Sequence, residues 1–288
     1  MNNYVLYTDS ACDMELSTLK QWEVKHCSLS LTFEGESKVY RNDEVDPAEF
    51  YNRMREGAVA KTAAANTEVF KRAFERELKS GNDILYLGFS TGLSTTCNSA
   101  AIAAEQLKEK YPERRMICID TLAASAGFGL LVKLAVDKKN EGASMDEVAE
   151  YIEGIKLNLS HWFTVDDLVY LKRGGRVSPA AAFFGGVLGI KPVMHVDNEG
   201  HLIPVSKARG RKASLRAMFD KYNETAIDPK SGPVFICHAD CKEDADALAQ
   251  MIKEAHGVEV EMTVYTGPVI GAHSGPGTLA LFFLANQR

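Results

Sequence analysis

The sequence predicts an α/β fold in two domains. Residues 1–155 read as an N-terminal α/β domain on a parallel sheet, and 156–288 as a smaller C-terminal α/β domain with a mixed or antiparallel sheet. Three observations carry this reading. In the first half, short apolar runs alternate with helical patterns, as strands joined by crossover helices do. In the second half, runs at 187–196 and 201–205 flank Asp197-Asn198-Glu199-Gly200 and read as a hairpin, which adds antiparallel pairing. The chain has 288 residues, 45% hydrophobic and 25% charged, enough apolar material for one large or two ordinary domains.

The elements follow in order. Residues 4–8 form a strand closed by Asp9 and Ser10, and 15–22 a helix. Residues 24–33 and 38–40 look extended, joined through Glu34-Gly35. Asp46 and Pro47 suit the N-cap and first turn of a helix over 47–56. Thr67 is placed to cap a helix over 67–79. Strand 84–89, helix 94–110, strand 116–119 and helix 125–139 complete the alternation. Beyond helix 145–157, the pattern gives strand 161–165, the hairpin, helix 209–222, strand 234–237, helix 243–256, strand 258–265 and strand 278–284. The last strand fits either domain. Two glycine-rich, unusually apolar stretches, 173–189 and 265–277, read as loops.

Composition narrows the function. A net charge of −6 gives no electrostatic footprint for nucleic acid. No apolar run approaches the ~20 residues of a membrane span. The start, MNNYVLYTDS, lacks the basic and apolar regions of a signal peptide. Six scattered cysteines, mostly within or beside apolar runs, suit a reducing cytoplasm.

Ligands on parallel sheets bind at the carboxyl ends of the strands. Ser90-Thr91-Gly92-Leu93-Ser94-Thr95-Thr96 falls at such an end, just before a helix. Unpaired amides and the positive helix dipole make that place an anion seat. Gly88-Phe89-Ser90-Thr91-Gly92 also fits the nucleophile elbow of hydrolases, with His273 as a candidate base. A plain capped helix is the bland reading.

Thr62, ahead of helix 67–79, either lends a hydroxyl to the same anion or belongs to a simple lead-in. His273, set in Gly271-Ala272-His273-Ser274-Gly275-Pro276-Gly277, can serve as base or as hydrogen-bond donor. Arg176, in Lys172-Arg173-Gly174-Gly175-Arg176, either binds an anion or braces its loop. Cys237-His238-Ala239-Asp240-Cys241 invites a metal, yet lacks a second ligand pair and reads more simply as a strand end with Asp240 capping the next helix. The apolar run 180–188 reads as core filler or as the wall of a tunnel for a greasy ligand.

Eight segments, taken together and in this order, resemble the DegV family of bacterial fatty-acid-binding proteins. They are YTDSACDM, TAAANT, FSTGLSTTCNSA, IDTLAASAGFGLLV, FTVDDLVYLKRGGRVS, LGIKPVMHVDNEG, KARGRK and IGAHSGPG. The resemblance implies one long-chain fatty acid held between the two domains. Its carboxylate would meet Thr62, Ser94 and the amide at Thr95, with His273 beside it and Arg176 supporting. It further implies that the protein is a carrier without catalysis, metal or other cofactor. Its partner would be the ATP-binding subunit of a fatty acid kinase, which docks at Arg209 and phosphorylates the presented carboxyl group. The chain departs from the family pattern at Ala63 to Ala65, at Thr95 and at Cys97. The rivals are a serine hydrolase using Ser90 and His273, and a nucleotide- or phosphosugar-binding module.

Overall fold

The computed structural model describes residues 3–178 and 189–288. In the first half the elements are β1 (Tyr4–Asp9), α1 (Leu16–Gln21), β2 (Val24–Cys27), β3 (Ser30–Phe33), β4 (Tyr40–Arg41), α2 (Pro47–Arg55), β5 (Ala60–Ala63) and α3 (Thr67–Lys79). Then come β6 (Asp83–Gly88), α4 (Thr96–Lys108), β7 (Met116–Asp120), α5 (Ser125–Asn140) and α6 (Met145–Ile155). The second half has β8 (Leu159–Thr164), α7 (Val169–Arg173), β9 (Ile190–Val196), β10 (Leu202–Arg209) and α8 (Arg211–Thr225). It closes with β11 (Val234–His238), α9 (Lys242–His256), β12 (Met262–Tyr265), α10 (Pro268–Ser274) and β13 (Leu279–Leu284).

The N-terminal sheet is parallel throughout, in the order β2-β1-β6-β7. The C-terminal sheet is mixed, in the order β10-β9-β8-β13-β11-β12, and only β11 and β12 run parallel. Its hairpin turns at Asp197, whose carboxylate accepts the Glu199 and His201 amides at 2.9 Å each. The last strand lies inside this sheet, between β8 and β11.

Four local expectations change. The extended run over 24–33 breaks after Cys27: β2 joins the parallel sheet and β3 joins a three-stranded sheet of order β4-β3-β5. The break is fixed by the Leu29 amide, which donates to Ser10 Oγ at 2.9 Å. The lead-in around Thr62 is a strand, β5, with Thr62 opposite Leu31. Asn66 rather than Thr67 caps α3, because Asn66 is the extended residue three before the Val69 amide that its side chain accepts. The stretch 265–277 contains a helix, α10, opened by Pro268 at its first turn.

α5 explains how the two sheets share a core. Its first eight residues, Ser125 to Val132, are all buried. A helix apolar all round must be covered on every side. It packs against β8, β11 and β13 on one side and against α6 and the turn after β1 on the other. The main core therefore runs from Leu6 and Tyr86 of the parallel sheet through Phe128 to Phe282 of the mixed sheet. A second core, including Trp162, Leu215, Leu248 and Phe283, lies under α8 and α9 on the far face. No helix among the described residues is long and apolar enough to cross a membrane.

Candidate functional site

A cavity of about 480 Å³ opens where the loop after β6, strand β5, helix α10 and the turn after α7 meet. Thr62, Ser94, Thr95, Arg176 and His273 all line it. The fold brings them together because the loop after β6 lies at the carboxyl edge of the parallel sheet, where α/β sheets gather ligands. β5 reaches the same place by packing on α10, which also contacts α7.

Thr62 Oγ1 and His273 Nε2 are 2.7 Å apart. Burial, with the Arg176 charge as a smaller cause, pushes the imidazole down to about 4, so His273 is neutral at pH 7. Its Nδ1 is buried without a partner, facing Gly174, where an added Cβ would come within 2.1 Å of it. Arg176 braces two walls: its Nε donates to the Leu93 carbonyl at 3.2 Å and its Nη1 to the Gly174 carbonyl. Burial lowers the guanidinium pKa, but an arginine keeps its charge at neutral pH. Ser94 Oγ is 2.9 Å from Thr96 Oγ1 and accepts the Thr96 amide at 3.3 Å. The N-cap residue Thr95 makes no side-chain cap bond, so apart from the Thr96 amide taken by Ser94 the start of α4 presents amide donors.

No acidic side chain lies among the described lining residues. This end of the cavity is a set of donors, with one cation and a helix start, and it reaches solvent at the exposed Thr95 and Gly175. Inward, the wall is mainly apolar, with Phe89, Phe163, Leu171, Val196, Leu202 and Phe282. Such a space fits an anion with a long apolar tail.

Sequence reasoning missed the other polar groups of the wall, His161, Ser125, Cys237, Thr266, Ser274 and Thr278. Period-two alternation could have placed His161, since 159, 161 and 163 share one face of β8. The Cys237 thiol is pushed up to about 12 by burial, which makes it a poor nucleophile.

Ser90 and His273 are not joined. Ser90 is fully buried, donates to the Gly200 carbonyl at 2.9 Å and accepts the Gly92 amide at 3.1 Å. Arg209 lies exposed at the end of β10, outside the cavity lining. Asp240 does not cap α9; it pairs with Arg55. Among the described residues no group of three or more His, Cys, Asp or Glu could hold a metal ion. The apolar run 180–188 lies outside the described residues.

The family model described as "Uncharacterised protein, DegV family" matches residues 4–286. The chain belongs to the DegV family. A DegV domain-containing protein of Clostridium perfringens (strain 13 / Type A) is 43% identical over 289 residues, covering 100% of this chain and 99% of the relative. A Thermotoga maritima relative named "Fatty acid-binding protein" is 30% identical, over 95% of each chain. A solved DegV family structure from Thermus thermophilus, described by its fatty acid binding, superposes with a TM-score of 0.88 at 30% identity, over 99% of this chain and 100% of that one. The DegV fold therefore holds for essentially the whole chain, mixed C-terminal sheet included.

Proposed function

We propose that this DegV protein binds one long-chain fatty acid between its parallel and mixed sheets. The carboxylate sits against Thr62, Ser94 and the Thr95 amide, with His273 and Arg176 behind them, and the acyl chain runs inward. The observation that carries this is the polarity of the cavity: donors, a cation and, among the described residues, no acid at its mouth, with a mainly apolar wall beyond. Charge-assisted hydrogen bonds fix the head group. Each buried CH₂ contributes about 0.8 kcal/mol, so the tail supplies affinity and the head supplies orientation. The named fatty-acid-binding relatives agree with this reading.

The protein acts here as a carrier. It presents the carboxyl group, at the exposed mouth beside Thr95, to the ATP-binding subunit of a fatty acid kinase. Arg209 is the docking contact, a role taken from the family resemblance and compatible with its exposure. Such presentation requires no base or nucleophile from the carrier itself. Lipid extraction and mass spectrometry of purified protein test the binding reading. One fatty acid per chain is the expected result; protein that emerges empty and stays empty when offered several acyl chains rules it out.

A further inference from the structure

Deep in the cavity one polar side chain has nothing to bond to. His161 lies on β8 opposite Phe282 of β13, is 1% exposed and lines the cavity wall. Neither Nδ1 nor Nε2 has a hydrogen-bond partner. The Leu159 backbone favours the ring's charged form without reaching hydrogen-bond geometry. Burial, together with the nearby Arg288 and His195, holds the imidazole well below its usual range, so the ring is neutral. Packing alone holds it in place. Phe282 meets it edge-on at 5.4 Å between ring centroids, and Gly127 lies so close that an added Cβ would come within 2.8 Å of Nε2.

A buried polar group without a partner is uncommon and calls for one. A neutral imidazole offers one donor and one acceptor, and an alcohol hydroxyl can match either. An unsubstituted acyl chain would leave both nitrogens unpaired. Ser274 Oγ, also in the wall, is another buried polar atom without a partner. The position of His161 along the chain follows from β13, whose end of the wall is lined by Thr278, Ala280 and Phe282. Thr278 donates to the carbonyls of Ser274 and Gly275, next to His273. At a strand rise of about 3.3 Å per residue, Phe282 and its partner His161 lie roughly 13 Å further on. His161 thus faces the interior of an acyl chain, well away from its carboxylate.

We propose that the acyl chain taken by this cavity carries a hydroxyl group in its interior and that His161 receives it. This rests on the fatty-acid reading above. The test uses delipidated full-length protein and displacement of a fluorescent fatty acid by stearic acid and by its 2-, 10-, 12- and 18-hydroxy derivatives. A site built to bond a hydroxyl discriminates strongly against the analogue lacking it, so a mid-chain hydroxystearate is expected to bind at least about tenfold tighter than stearate. Read as the ratio of hydroxystearate to stearate affinity within each protein, the preference is expected to vanish in His161→Phe and to survive in part in His161→Gln, which retains a donor and an acceptor. Equal preference in wild type and His161→Phe overturns the proposal. If the phenylalanine variant does not fold, the wild-type series decides: no preference for 10- or 12-hydroxystearate over stearate and the terminal hydroxy acids overturns it. Stearate binding without hydroxyl preference sinks this inference alone, whereas a protein that binds none of these acids sinks the fatty-acid reading as well.

Discussion

Thr62 Oγ1 stands 2.7 Å from His273 Nε2, although 211 residues separate them in the chain. The pairing has a direction once an anion is present. A carboxylate only accepts hydrogen bonds. It therefore selects the tautomer in which Nε2–H donates to Thr62 Oγ1 and the Thr62 hydroxyl hydrogen turns to the ligand. On the fatty-acid reading proposed above, His273 orients Thr62 and Thr62 holds the carboxylate.

Thr62→Val removes that donor and little else. Valine has nearly the same shape and suits β5, which pairs with β3 at this position. A hydrogen bond to a charged group contributes about 1.5–3 kcal/mol, so fatty-acid affinity should fall roughly 10- to 100-fold. The half-buried position predicts a small change in thermal midpoint. Fatty-acid displacement and calorimetry on the same sample check both parts.

His273 makes stability depend on pH in a defined direction. Its folded pKa is pushed down to about 4, mainly by burial. The unfolded value is about 6.5. The unfolded chain therefore binds the proton more readily, and the contribution present above pH 6.5 is lost as pH falls toward 4. Asp13, raised to about 7 by burial, works in the opposite sense: its contribution is present below about pH 4 and lost as pH rises through 7. The comparison must therefore be wild type against His273→Asn. Between pH 7 and 4, ligand-free wild type should lose about 3 kcal/mol more unfolding free energy than the variant. Equal losses in urea titrations at the two pH values would contradict a depressed His273 pKa.

Ser90→Ala separates the carrier from the hydrolase. The substitution leaves the Gly200 carbonyl without the hydroxyl that now donates to it at 2.9 Å. That should cost about 1–3 kcal/mol of stability. Lipid content should be unchanged, because Ser90 is not one of the cavity's lining residues. A fluorophosphonate probe should label neither protein. Labelling of wild type that disappears in Ser90→Ala would instead identify a catalytic serine.

The sequence shows strands and helices wherever a local period decides them. β6, with all six residues buried, and α4 after it stand out as an apolar run followed by an alanine-rich helix. Elements that depend on distant partners are hidden. β5 is Ala-Lys-Thr-Ala, with no apolar alternation, and becomes a strand only because β3 lies beside it. α10 has just seven residues, several of them small, and is held by α2, α7 and β5. The same division applies to the site. Ser94 and Thr95 are legible from their place before a helix. Thr62 and His273 gain meaning only when the fold brings them together, and His161 shows its unpaired nitrogens only inside the assembled wall.

Docking and binding should come apart at Arg209. This side chain is exposed at the end of β10, whose backbone pairs Arg209 with Ile190, and it does not line the cavity. Reversing its charge therefore leaves the described cavity lining untouched. It changes only what a partner surface meets. Electrostatic complementarity acts strongly on encounter rate and partner choice, so a carrier–kinase contact through Arg209 should weaken about tenfold or more on charge reversal and less at high salt. Arg209→Glu should then retain its fatty acid, keep its thermal midpoint and lose acyl phosphate formation when mixed with ATP and a fatty acid kinase ATP-binding subunit. Arg209→Lys, which keeps the charge, should recover part of the rate. Undiminished phosphorylation of fatty acid on Arg209→Glu would remove this residue from the docking surface while leaving the binding site as described.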